Sequence, residues 1–433
     1  MRVKLPAHES TTAQLGVAYP FAASARLPVT RVLIGQDLTG GPFAHDPFDL
    51  YEAGTVTNPN LTVLGQIGRG KSALVKTYLL RQAAFGRQIA VLDPKGEYGA
   101  LARALGSNPL SLAPGGAVRV NPLDGPTSPG STAAARHRLV LLGTLAAACL
   151  RRPLSPREHT ALELALGAAT RSHLEHDAGP PTLPEVVRAL LRPLAESART
   201  VGTTKAGLEQ DGRDVGLELR RLVEGDLAGM FDGPTTPGID PGSGVLVVDL
   251  SAVYHSEALG ALMVCASAWL QAMTARTQAQ TILVVDEAWA VLTELAVARY
   301  LRSSWKLARA NGLANIAVCH RASDLGASGA AGSEQSRLAE GLLADSETVV
   351  CYAQPASELA ALAGLLGCSR EELEVLPRLR RGVALWTGGR RRFLVEHLLG
   401  PDELAVVDTD SRLRPGDRPA MSSGPVPSDR RPV

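Results

Sequence analysis

The sequence predicts an α/β fold, a mainly parallel sheet interrupted by an all-α insertion. Three observations predict it. A short apolar run, Leu61–Leu64, enters a glycine-rich loop, which leads into a helical stretch and a second apolar run at 88–92. That strand–loop–helix–strand order is what parallel strands joined by crossovers require. From about Asp124 to Gly233 strand-like runs vanish and helix start signals take over. Strand-like runs then resume at 244–250, Thr281–Val285, 315–319, 348–352, 382–387 and 392–396.

Bulk properties set the frame. The 433 residues suffice for one large domain or two to three smaller ones. A hydrophobic fraction of 45% with 20% charged residues excludes a fibrous or disordered chain. The formal net charge of +1 excludes a global basic field for duplex DNA, so nucleic-acid contact would need a local patch. The five cysteines (Cys149, Cys265, Cys319, Cys351, Cys368) are scattered in apolar surroundings without CxxC spacing. They read as buried thiols of a reducing compartment. The N-terminus lacks the apolar run of a signal peptide. The apolar stretches at 139–150 and 258–273 fall short of a membrane span. The expectation is therefore a soluble, cytoplasmic protein with no integral membrane segment, possible peripheral attachment at the inner face of the membrane being left open.

Along the chain, residues 1–60 form an N-terminal segment with one strand-like run at 31–35. Residues 61–124 begin the core, with a helix from about Lys71 to Phe85 stopped by Gly86 as a C′ glycine. Residues 125–235 are the all-α insertion. Its start signals are Ser155-Pro156-Arg157-Glu158 and Thr182-Leu183-Pro184-Glu185, each with a capping hydroxyl, an early proline and a glutamate at the third position. Residues 236–409 complete the core, and Gly388-Gly389 between the last two runs predicts a hairpin. The Pro-, Ser- and Arg-rich stretch 410–433 is expected to be a disordered tail.

The chemistry sits in the loops. A triphosphate is bound by backbone N–H groups, a cation and a metal. Gly65, Gln66, Ile67, Gly68, Arg69, Gly70, Lys71 and Ser72, followed by Ala73, form a GxxxxGKS loop at a helix N-terminus. Lys71 reaches the β- and γ-phosphates, and the Ser72 hydroxyl is a Mg²⁺ ligand. The strand Thr281–Val285 ends in Asp286-Glu287. Asp286 is placed to hold Mg²⁺ through water, and Glu287 to act as general base. The run 315–319 ends in His320, a polar residue at a strand tip and a candidate sensor of the γ-phosphate. In Asp93-Pro94-Lys95-Gly96-Glu97-Tyr98 the charged residues follow a strand, and Glu97 is the one expected to face the nucleotide. Asn121 before Pro122 is a turn former. The bland readings are a flexible loop, two solvated acids capping a helix and a turn histidine. They lose ground because all three features occur together.

GQIGRGKS, DPKGEY, NPLD and VVDEAW, in this order, resemble the HerA–FtsK clade of hexameric motors. Asp286-Glu287-Ala288-Trp289, the helical insertion and the segment 226–233 are similar to the conjugation and type IV secretion assembly ATPases of the TraC/TrbE group. The resemblance spans about residues 34–407. It implies a RecA-like core, a homo-hexameric ring, ATP and Mg²⁺, with type IV secretion or conjugation channel components as partners. It also implies that Arg309 is an arginine finger reaching a neighbouring subunit. Two departures are visible. The family's sensor is usually Gln where this chain has His320, and only about 60 residues precede the loop, where the family carries a long N-terminal domain.

The function expected is an ATP-hydrolysing motor that drives transfer of DNA or protein, or assembly of the transfer apparatus. A cytoplasmic DNA translocase of the HerA or coupling-protein kind is the alternative. A nucleotide-gated scaffold is a third class, but it predicts loss of Lys71 or Glu287, and both are present. Arg378, Arg380, Arg381, Arg390, Arg391 and Arg392 are candidates for DNA phosphate contact, and the loop 326–333 for a pore lining.

Overall fold

In a computed structural model of the chain, residues 31–39, 41–125, 131–176, 179–240, 242, 244–277, 279–288, 295–321, 334–389 and 391–407 are described. The expected tail at 410–433, the loop 326–333, Trp289 and Arg390 lie outside them.

The strands are β1 (Leu33–Asp37), β2 (Gly41–Ala44), β3 (Leu61–Leu64), β4 (Gln88–Asp93), β5 (Leu110–Ser111), β6 (Val245–Asp249), β7 (Thr281–Val285), β8 (Leu313–Cys319), β9 (Thr348–Cys351), β10 (Val383–Gly388) and β11 (Arg391–His397). They form one sheet in the order β2-β1-β11-β10-β9-β3-β8-β7-β4-β6-β5. From β9 to β5 every neighbouring pair is parallel. From β9 back to β2 every pair is antiparallel. The expected hairpin is present, with Val383 opposite Glu396 and Gly388 opposite Arg391. The N-terminal residues 33–44 supply two further edge strands on the antiparallel side.

The parallel strands are apolar throughout because both their faces are covered. Val63, Ile89, Val91, Val247, Val284 and Val318 point to one face. There they meet Leu74, Val75, Tyr78 and Leu79 of the helix Lys71–Ala84, and Leu101 of the helix Gly99–Ala104. Leu64, Leu92, Val248, Val285 and Cys319 point to the other face. That core runs without a break into the helix Leu259–Ala275 and the helices Thr132–Leu150, Pro156–His176, Leu183–Leu191 and Lys205–Val223. The two ends of this helical excursion are stitched together. Val120 N donates to Met230 O at 2.9 Å, Asn121 N to Thr235 Oγ1 at 2.9 Å, and Thr235 Oγ1 to Asp124 Oδ2 at 2.7 Å.

One expectation is corrected. The apolar run at 139–150 belongs to a longer helix, Thr132–Leu150, capped by Ser131, whose 19 residues and mean hydropathy of 1.3 meet the length and composition of a membrane span. The extra length comes from an alanine-rich first turn and Arg138. Here the helix packs in the helical layer, with Leu141, Leu142 and Leu145 fully buried and Arg138 Nε donating to Leu123 O at 2.8 Å.

Candidate active site

Parallel strands end on a common edge. The C-terminal ends of β3, β8, β7 and β4, four neighbours in the sheet, bring Gly65, His320, Asp286 and Asp93 to that edge. The strand between β3 and β7 is β8, which puts His320 between the glycine-rich loop and the acid pair.

The loop is shaped by close approach and by backbone conformation. A Cβ at Gly65 would stand 2.5 Å from Tyr352 Cβ, so only glycine lets β3 leave the sheet beside β9. Gly70, at φ 112°, is the N-cap of the helix Lys71–Ala84 and offers no side chain to its amides. The first backbone N–H groups of that helix lack intrahelical acceptors and point toward the loop. Gln66 N donates to Ala353 O at 3.3 Å, and Gly382 N to Arg69 O at 3.0 Å, so β9 and the start of β10 brace the loop. Ile67 is exposed at its tip, and Arg69 Nη2 donates to Gln66 Oε1 at 3.4 Å. Ser72 and Ala73 are half-buried in the first helical turn.

Lys71 is buried and its ammonium donates to Gly65 O and, at 3.1 Å, to Gln66 O. Its Nζ also lies 3.2 Å from His320 Nδ1. Burial pulls its pKa down to about 8, against the opposing pull of Asp286 and Glu287. His320 Nε2 in turn contacts both Glu287 oxygens at 3.0 Å. Lys71, His320 and Glu287 thus form one chain of polar contacts across three strand ends.

The acid pair is almost completely buried. Burial, with the Glu287 charge beside it, pushes Asp286 up to about 6. Glu287 has φ 51°, one of two non-glycine residues with positive φ among the described residues. Its N–H donates to Asp286 Oδ1 at 2.8 Å. A left-handed glutamate costs about 1–2 kcal/mol. It persists because the carboxylate is gripped by His320 and by Lys95, whose Nζ lies 2.5 Å from Glu287 Oε1.

The loop after β4 is anchored by Asp93, whose carboxylate accepts from Lys95 N at 3.2 Å, Gly96 N at 2.9 Å and Tyr98 N at 2.8 Å. Burial still raises the Asp93 pKa, outweighing those donors. Glu97 is half-buried on this loop, and no hydrogen bond of its carboxylate is found among the described residues. It is close enough to Lys76 and Lys95 to act on their charges. On this loop Lys95 pairs with Glu287. Tyr98 is fully buried with its hydroxyl near Asp286 but without an aligned hydrogen bond, and the Lys76 amine lies 5.4 Å above its ring. The sequence carries no local signal for Lys95, Lys76 or Tyr98 because their roles arise from strand order.

Arg309 lies elsewhere. It opens the short 3₁₀ turn Arg309–Asn311 that precedes β8, at the opposite edge of the sheet, exposed, with Nη1 donating to Thr57 O at 3.4 Å. About 20 Å of strand separates it from its own chain's His320. Arginines of the C-terminal hairpin region are engaged within the chain. Arg380 pairs with Glu396 at 2.7 Å, and Arg392 with Glu372 at 2.7 Å.

No protein-family model matches the sequence, and no curated protein matches it. Solved structures do. VirB4 of Thermoanaerobacter pseudethanolicus superposes with a TM-score of 0.71 at 24% identity, over 88% of this chain and 99% of that one. The plasmid coupling protein TrwB with ADP and Mg²⁺ gives 0.57 at 14%, over 86% and 90%. TrwB with an ATP analogue gives 0.54 at 16%, over 87% and 90%. The chain shares the VirB4 and TrwB fold. That fold contains the P-loop NTPase core and the mainly parallel sheet expected from the sequence.

Proposed function

We propose that this chain is an ATP-hydrolysing motor of the conjugation and type IV secretion type, driving transfer of DNA or protein, or assembly of the transfer apparatus. The observation that carries the reading is the convergence of Lys71, His320 and the Asp286–Glu287 pair at three adjacent strand ends. The VirB4 and TrwB likeness supports it.

The residues fit ATP and Mg²⁺. An uncapped helix N-terminus supplies amides for phosphate oxygens, and the buried Asp286 carboxyl and the Ser72 hydroxyl would supply oxygen donors to a hard cation. When bound, Mg²⁺ neutralises charge on the β- and γ-phosphates. The loop N–H groups and Lys71 hold the phosphates in place. Glu287 takes a proton from the attacking water as its oxygen bonds to the γ-phosphorus. The bond from that phosphorus to the bridging oxygen breaks, and ADP and phosphate leave. His320 links Lys71 to Glu287 and is placed to report the state of the γ-phosphate. Arg309, distant from its own site, acts on a neighbour's in a ring of identical subunits. The protein works in the cytoplasm, at channel components on the inner face of the membrane.

The second reading, a DNA translocase, draws on the likeness to TrwB, which is described as a coupling protein. Turnover measured with and without single- or double-stranded DNA separates the two. DNA stimulation favours the translocase, whereas turnover that DNA leaves unchanged favours the assembly motor.

A further inference from the structure

The grip on Glu287 is more than the proposed hydrolysis needs. A general base must present a free carboxylate oxygen to water. Here Glu287 is 4% exposed, Oε1 is contacted by Lys95 at 2.5 Å and by His320 at 3.0 Å, and Oε2 by His320 at 3.0 Å. Lys95 and His320 come from different strand ends, β4 and β8, so they can release the carboxylate independently. His320 is also bound to Lys71 and so to the phosphate-binding loop. Among the described residues, no contact ties the Lys95 side chain to that loop. Its backbone is fixed by Asp93, while its side chain is 28% exposed and the Tyr254 ring lies 5.8 Å from its Nζ. Tyr254 follows the short turn Ser251–Val253 at the end of β6. That turn packs on the Lys95 loop so closely that a methyl at Gly96 would meet Ser251 Oγ at 3.1 Å.

We propose that Lys95 is a positioning residue that restrains Glu287. Its ammonium occupies the oxygen that water would use, and turnover requires it to swing from Glu287 toward the Tyr254 ring. Movement of the turn before Tyr254 then sets how often the base is free. This rests on the reading of Glu287 as general base, which Glu287→Gln tests separately.

The experiment is steady-state ATP hydrolysis by the full chain with Mg²⁺, comparing wild type, Lys95→Met, Lys95→Gln and Lys95→Arg. Loss of the ammonium is expected to raise kcat about three- to tenfold with KM unchanged in both neutral variants, and Lys95→Arg to return the wild-type rate. A lower or unchanged kcat in a folded neutral variant overturns the proposal, since Lys95 would then assist the reaction or play no part in it. A raised KM overturns it too, marking Lys95 as a phosphate ligand. If Glu287→Gln turns over like wild type, it is the base assignment that fails. If Glu287→Gln is inactive and Lys95→Met is not faster, the base stands and the restraint falls.

Discussion

The two ends of the same strands, β3 and β8, are built on opposite terms. Around their C-terminal ends, and that of β7 beside β8, the groups are ionisable: Lys71, half-buried His320 and the buried pair Asp286 and Glu287, the last strained at φ 51°. At their N-terminal ends the groups are neutral amides that hydrogen-bond one another, with Asn315 Oδ1 alone of these amide atoms left without a partner among the described residues. Asn60 Oδ1 accepts from Asn315 N and Nδ2 at 3.1 Å, and Asn60 Nδ2 donates to Trp305 O and Asp345 O at 3.3 Å. One end stores cost for chemistry, and the other ties the sheet to the helix Leu295–Leu307. Buried charge is expensive unless it is paired, whereas a satisfied amide holds its place at little cost.

The contrast can be broken at either end. Lys71→Ala should lower turnover by about a hundredfold or more and weaken nucleotide binding, while the thermal midpoint stays near wild type. A large fall in the midpoint would show that this end also carries the fold. Arg309→Ala should lower turnover by about a thousandfold in assembled rings and leave isolated subunits unchanged, read by hydrolysis across a protein-concentration series. Equal activity under assembled conditions would remove Arg309 from the neighbour's site. Asn60→Ala should cost about 2 kcal/mol of stability in chemical denaturation, because its partners are left unpaired, and should spare the turnover of the folded fraction. The smallest effect sharpens the comparison. Glu287→Gly should shift the chemical-denaturation midpoint less than Asn60→Ala does, because relief of the left-handed backbone offsets loss of the Lys95 and His320 contacts, while hydrolysis is lost.

Much of this was legible in the sequence, for identifiable reasons. Strands buried on both faces leave unbroken apolar runs, so β3, β4, β7 and β8 stand where the runs 61–64, 88–92, 281–285 and 315–319 place them. Gly86, at φ 81°, follows the last turn of the helix Lys71–Ala84 as the expected stop. The strands β2 and β5 escaped because a Gly-Pro pair and a two-residue strand leave no periodic signal. In the site, residues that follow an apolar run were visible as strand ends. Lys95 was not, because its contact with Glu287 depends on β4 lying beside β7, which spacing along the chain does not state. The same limit explains the choice of Glu97 over Lys95 on one loop. The backbone conformation of Glu287 leaves no trace in composition.

The most direct test of the central claim is a paired measurement on Glu287→Gln: binding of ATP with Mg²⁺, and single-turnover hydrolysis. The account predicts that the variant binds ATP as wild type does and hydrolyses it about a hundredfold more slowly or worse. Hydrolysis at the wild-type rate with binding intact would contradict it.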